Sequence, residues 1–184
     1  MRMKEDAMLN GQLKPAYNIQ FGVDAEYVVW ITAGPQPTDT LTLIPFLKEQ
    51  EQYFQHRYQQ VVADSGYESE ENYLYLEGQH QQAFIKPSNY EKGKTRNYRK
   101  DIGRRENMVY DATSDCYQCA AGKLLTRGRT YHRRSRSGFL SEVTCYSCKE
   151  CQGCALKSQC IKGNNCKLAL EYRNKHFEVS KYFQ

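Results

Sequence analysis

All eight cysteines of this 184-residue chain fall within the 51 residues from Cys116 to Cys166. The pair Cys116-x2-Cys119 is followed, after a 25-residue loop, by Cys145-x2-Cys148-x2-Cys151-x2-Cys154-x5-Cys160, with Cys166 beyond. Two CxxC knuckles separated by a loop have the spacing of a tetrahedral zinc site. Disulfides are the competing reading. The N-terminal stretch Met1 to Asn10 has no apolar core of signal-peptide type, and no run approaches the roughly 18 apolar residues of a membrane span. A cytoplasmic location is therefore expected, where clustered cysteines serve more often as metal ligands than as disulfides. Redox chemistry lacks the usual context of a CxxC opening a helix, and free thiols would not crowd so densely. The spacing points to a metal without selecting which four cysteines bind it. Residues 107 to 166 hold few large aliphatics, so the expected role of the metal is structural, in place of a core.

The rest of the chain is uneven. Mean hydropathy is -0.81, and the apolar runs concentrate between residues 17 and 85, where the core is expected. Tyr17 to Asp24 alternates in part and Tyr27 to Thr32 is β-branched and aromatic, which predicts two strands in a hairpin. A Gly34-Pro35-Gln36-Pro37 break precedes a helix capped near Thr38 or Asp39 and running to about residue 57, with Pro45 tolerated in an early turn. Gln60 to Ala63 reads as a strand. Ser69 is placed as the N-cap of a second helix, with Glu70 and Glu71 at the positive end of its dipole and Gly78 closing it. Gln82 to Ile85 is a further strand. This order predicts an α/β (α+β) class with one mixed sheet and helices packed on it. A basic loop is expected from 88 to 107, a two-stranded ribbon within 120 to 144, and a helix from Leu168 to Phe183.

Asp64 directly follows the strand Val61-Val62-Ala63 and precedes Gly66. A carboxylate at the carboxyl end of a strand, before a turn into a helix, stands where open α/β sheets place functional groups. Taken locally, a turn former or N-cap for the next helix is the slightly favoured reading. The wider sequence favours the functional reading. GQLKPAYNIQFGVDAEY (11 to 27), VVADSGYESEENYLYL (61 to 76) and FIKP (84 to 87) resemble, in order and spacing, the catalytic domain of bacterial DDE-type insertion-sequence transposases. YQCAAGKLL (117 to 125) and YSCKECQGCALKSQC (146 to 160) resemble the cysteine-rich insert of one branch of that family.

The resemblance implies an RNase H-like fold, here incomplete, with a zinc-ribbon-like insert. Residues 1 to 106 would belong to the catalytic domain, 107 to 166 to the zinc-binding insert, and 167 to 184 to the start of a C-terminal helix. It further implies DNA transposition by two-metal phosphoryl transfer, with Mg2+ held by three carboxylates. The partners would be transposon ends and target DNA, with a homodimer in the intact enzyme. Asp64 matches the second carboxylate. The first belongs on a strand before Met1 and the catalytic Glu on a helix beyond Gln184. Asp6, Asp24, Asp39, Glu171 and Glu178 do not stand in those contexts, and Asp24 reads as structural. On this reading the chain is an internal fragment, inactive alone. For structural Zn2+ the family pattern points to Cys119, Cys151, Cys154 and Cys160, with Cys148 a fifth candidate and Cys116, Cys145 and Cys166 as extras. The alternative is a non-enzymatic zinc-ribbon nucleic-acid-binding protein.

Both readings use the distribution of charge. The net charge is +5, and Lys86 to Arg105 holds eight Lys/Arg against two acids, while Lys123 to Arg136 holds six and none. Interleaved with Tyr90, Tyr98 and Tyr131, these runs predict a phosphate-binding surface formed by Lys92, Lys94, Arg96, Arg99, Lys100, Arg133, Arg134 and Arg136. A solvated loop is the bland reading of the same runs.

Overall fold

A computed structural model describes residues 16–163 and 166–183. The chain divides into two compact units, residues 1–88 and 89–184. The architecture is mixed α/β, with five short helices among the described residues. None of them is long and apolar enough to cross a membrane.

In the first unit, β1 (Asn18–Asp24) and β2 (Tyr27–Gly34) form an antiparallel hairpin. Its two-residue turn places Ala25 at a φ of 52°. A 3-10 turn over Asp39–Leu41 leads into α1 (Leu43–Phe54), with Pro45 in the first turn as expected. β3 (Gln60–Ala63) and β4 (Gln82–Ile85) pair in parallel, joined by α2 (Glu70–Gly78). Ser69 caps α2 by accepting the Asn72 N–H at 3.1 Å. Leu43, Phe46 and Leu47 of α1, Leu76 of α2 and Ile85 of β4 form the core. The single mixed sheet expected here is instead two separate two-stranded sheets. Local alternation specifies that strands exist, whereas their joining depends on which edges meet.

The second unit begins with two short helices, α3 (Tyr90–Lys94) and α4 (Arg96–Arg99), in the stretch expected to be a loop. Thr95 caps α4 through its hydroxyl. The segment is tied to the rest of the unit by the Asp101–Lys162 ion pair at 2.9 Å and by Arg105, which donates to the Phe183 carbonyl. A five-stranded antiparallel sheet follows: β5 (Val109–Asp111), β6 (Cys116–Gln118), β7 (Leu124–Arg134), β8 (Leu140–Ser147) and β9 (His176–Ser180). β7 and β8 are the ribbon expected within 120 to 144.

Two further expectations fail in this unit. The helix from Leu168 to Phe183 is absent. A 3-10 turn over Leu170–Tyr172 precedes β9, which pairs with β8. Phe177 and Val179 alternate with His176, Glu178 and Ser180, and that period of two outweighs the looser helical spacing. A second core also exists, where few aliphatics suggested none. Met108, Tyr117, Leu125, Tyr146 and Val179 pack with Cys148 and Cys151. The aromatic rings supply the area that aliphatics do not: Tyr117 meets Tyr146 and Phe177 edge-on at 5.0 Å.

The buried Tyr146 hydroxyl is satisfied by Asp115. Asp115 Oδ1 accepts from Tyr146 at 2.6 Å and from Tyr110 at 2.9 Å, and its Oδ2 pairs with Arg127 at 3.1 Å. The hydrogen bond from Tyr146 holds the Asp115 carboxyl below the usual carboxylate range, while burial pushes the Tyr146 hydroxyl up. One side chain thereby links β5, β7 and β8 from the turn before β6.

Candidate functional site

Two groups of chemically capable side chains stand out, one in each unit. In the first, Asp64 lies just past the carboxyl end of β3 and is exposed at a cleft. Its Oδ1 accepts the Gly66 N–H at 2.7 Å, closing the 3-10 turn Ser65–Tyr67. The turn-former role is therefore real. It leaves Oδ2 without a hydrogen bond among the described residues.

The structure adds a residue that the sequence reading set aside. A Cβ placed on Gly66 would lie 2.6 Å from Asp39 Oδ2 and 3.0 Å from Asp64 Oδ1. The two carboxylates thus converge on one point that only a glycine leaves clear. Asp39 is held there by Asn18, which donates to its Oδ1 at 2.7 Å, and by Gln20 at 3.4 Å. Tyr67 borders the pair and donates its hydroxyl to Gln20 Oε1. Burial, followed by the charges of Asp39 and Asp64, pushes the Tyr67 hydroxyl up to about 12, so it stays protonated at neutral pH. Asp39 opens its own 3-10 turn after Pro37. That position at a helical entry was the available signal, but 25 residues of sequence separate it from Asp64. Asp24, read as structural, lies near Tyr58 at the far end of β1, where burial and then the Asp24 charge push the Tyr58 hydroxyl up. Glu171 and Glu178 lie in the second unit, and Asp6 lies outside the described residues.

In the second unit, Cys119, Cys148, Cys151, Cys154 and Cys160 line one cavity of about 20 Å³. That is room for one ion or water and too little for an organic ligand. Four short segments supply the thiols. Cys119 sits in a tight loop after β6, closed by its N–H donating to the Lys123 carbonyl at 2.9 Å, with Gly122 at a φ of 74°. Cys148 and Cys151 follow β8, Cys154 comes after the Gly153 turn, and Cys160 ends α5 (Lys157–Cys160).

A backbone N–H already points at one of the sulfurs: Lys175 donates to Cys151 Sγ at 3.3 Å. Burial pushes the Cys148 and Cys160 thiols up, opposed by the Glu150 amide at Cys148 and by Lys175 at Cys160. Lys123, Lys157 and Lys175 share the cavity wall; the Lys123 and Lys157 ammoniums donate to the Glu150 and Glu171 carbonyls, and the charge of Lys175 bears on Cys160. Among the described residues no three His, Cys, Asp or Glu side chains form a group that could hold a metal as they stand, so binding would require the sulfurs to draw inward. Cys116, Cys145 and Cys166 do not line this cavity. Cys116 is buried beside the Ser114 hydroxyl, Cys145 pairs in register with Glu178, and Cys166 is exposed.

Both basic runs beyond Ser88 fall in the second unit, while Asp64 falls in the first. Arg133 and Arg134 are consecutive on β7 and so point to opposite faces of the sheet. Arg133 pairs with Glu178 at 3.8 Å and Lys94 with Glu91 at 3.2 Å. Arg99 donates to the Gly93 carbonyl at 3.1 Å. Lys92, Arg96, Lys100, Arg134 and Arg136 lie on the same elements and their connecting turns. Comparison of the chain with protein-family models, with curated proteins and with solved structures gave no match.

Proposed function

We propose that the chain is part of a DDE-type transposase, an incomplete RNase H-like catalytic unit followed by a zinc-binding module that contacts DNA. The observation that carries this reading is the convergence of Asp39 Oδ2 and Asp64 Oδ1 above Gly66. Paired hard oxygens at a strand end suit a magnesium ion, and Gly66 provides room for it. Such an ion, when bound, activates a water or 3′-hydroxyl and stabilises the leaving oxygen of an in-line displacement. The chain's own residues would orient it: Asn18 and Gln20 fix the Asp39 carboxylate, and the Gly66 amide fixes that of Asp64. No third acid joins them among the described residues, so strand cleavage by this chain alone is not expected. Four of Cys119, Cys148, Cys151, Cys154 and Cys160 would supply the thiolates for zinc.

A manganese titration of the full chain, followed by paramagnetic broadening of backbone amide resonances, tests the carboxylate site. Broadening should begin at residues 64 to 67 and disappear in both Asp39→Asn and Asp64→Asn. Uniform broadening, or no change in either variant, would remove the basis for the enzyme reading. DNA binding that survived such a result would favour the non-enzymatic zinc-ribbon protein.

For DNA, the ion pairs of Lys94 and Arg133 leave six of the eight expected phosphate contacts uncommitted to acids. The log-log salt slope for duplex binding should therefore be about -5. Replacing Arg134 and Arg136 by Gln should flatten that slope by about 2, whereas Arg133→Gln should change it less. A flat salt response in anisotropy titrations would show that the basic runs are merely solvated.

A further inference from the structure

Asn72 is fully buried in the first turn of α2, three residues after its Ser69 cap. At that position a serine cap is commonly partnered by Glu or Gln, which reaches back to the cap N–H, and Asn is a poor helix former. Local chemistry therefore does not explain the residue, but its tertiary contacts do. The Asn72 backbone N–H goes to the Ser69 hydroxyl at 3.1 Å, so the cap is made without the side chain. The side-chain amide turns away from the helix and commits its protons to two other segments. Nδ2 donates to the Thr40 carbonyl at 3.2 Å and to the Tyr67 carbonyl at 2.7 Å.

Those carbonyls belong to the two turns that carry the carboxylates. Thr40 follows Asp39 in the 3-10 turn Asp39–Leu41, and Tyr67 ends the turn Ser65–Tyr67 that the Asp64 carboxylate closes. One buried amide thus bridges the Asp39 turn to the Asp64 turn. A second tie runs through side chains. The Tyr67 hydroxyl donates to Gln20 Oε1, and Gln20 Nε2 donates to Asn18 Oδ1 at 2.6 Å and to Asp39 Oδ1 at 3.4 Å. The turns cannot spread without breaking both ties, and buried hydrogen bonds are costly to leave unmade.

We propose that Asn72 is a positioning residue. By tying the two turns together it fixes the spacing of the Asp39 and Asp64 carboxylates, and with it the size of divalent cation that they accept. This rests on the reading of the carboxylate pair as a metal site. A pair held at fixed spacing favours magnesium, which is small and demands near-ideal geometry, whereas calcium tolerates wider and looser arrangements. Asn72 acts through the backbone of the two turns, so its loss loosens the site while both carboxylates remain.

The test is displacement of manganese from the full chain, followed by paramagnetic broadening at residues 64 to 67, with magnesium and calcium as separate competitors. Less magnesium than calcium should be needed in the parent. Asn72→Ala should lower that preference about tenfold, the equivalent of one lost hydrogen-bonded constraint. Gln81→Ala is the control for loss of a buried amide: Gln81 is also buried, but it donates to the Tyr58 carbonyl at 2.7 Å and holds neither turn. It should leave the preference unchanged. A parent that does not prefer magnesium, an unchanged preference in Asn72→Ala, or an equal loss in Gln81→Ala would overturn the proposal and leave the metal site standing. A parent that binds no manganese would overturn both. Should Asn72→Ala fail to fold, the parent decides, because coupling is reciprocal: magnesium should slow hydrogen exchange of the Asn72 side-chain amide and leave that of Gln81 as it was. Unchanged exchange at Asn72, or an equal change at Gln81, would overturn the proposal.

Discussion

Purified without added metal, the chain is expected to carry about one zinc per molecule, as a closed four-thiolate site implies. Stripping it with a chelator should unfold the cysteine-bearing loops. Five thiols border a cavity the size of a single ion, and they come from four short segments. Without a metal, the loop thiols have no common partner to hold them together. With one, apparent binding free energies on the order of 10–16 kcal/mol are typical of structural zinc modules. Elemental analysis and near-ultraviolet circular dichroism before and after chelation would measure both effects. Cys119→Ser and Cys151→Ser should each abolish stoichiometric zinc, while Cys145→Ser and Cys166→Ser should retain it. Metal-free protein with an unchanged spectrum after chelation would contradict the assignment.

Replacing Gly103 with alanine should be unusually damaging for a single methyl group. The added Cβ would lie 2.4 Å from the Cys160 carbonyl oxygen and 3.2 Å from its carbon. These are backbone atoms, so no flexible side-chain end can swing away. Asp101, whose carboxyl the Lys162 ammonium holds below the usual range, pins the same segment on both sides: Oδ1 receives the Gly103 N–H at 3.1 Å and Lys162 at 2.9 Å. Relief therefore requires moving α5 and, with it, Cys160. A loss of about 3 kcal/mol is expected, at the upper end of the usual cost of overpacking, together with weakened zinc retention. Chemical denaturation of Gly103→Ala beside Gly163→Ala, where an added methyl meets nothing within 4 Å, gives the comparison. Equal stability of the two variants would show that the loop yields freely.

Much of the local structure was legible in the residues. Ile19, Phe21 and Val23 alternate, Ser69 precedes two glutamates, and QVVA and QAFI are short apolar runs, so β1, β3, β4 and the cap of α2 follow from neighbouring chemistry. The same holds for the ribbon of β7 and β8. Residues 168 to 183 were misread because charges interrupt the apolar positions there, and a strand at a sheet edge tolerates that mixture as well as a surface helix does. The pairing of β8 with β9, which decides the matter, lies about 30 residues away along the chain, beyond any local signal.

The sequence by itself determined the inventory: which segments become strands, that the thiols cluster, and that Asp64 ends a strand at a glycine turn. These depend on periodicities of two and 3.6 residues and on spacings within a single loop. Only the tertiary structure decided the meetings. It brought Asp39 beside Asp64, selected five of eight cysteines for one cavity, and built a tyrosine core around Asp115. Each of these is a contact between distant segments, and its geometry is set by packing and hydrogen-bond satisfaction over the whole unit rather than by the residues on either side.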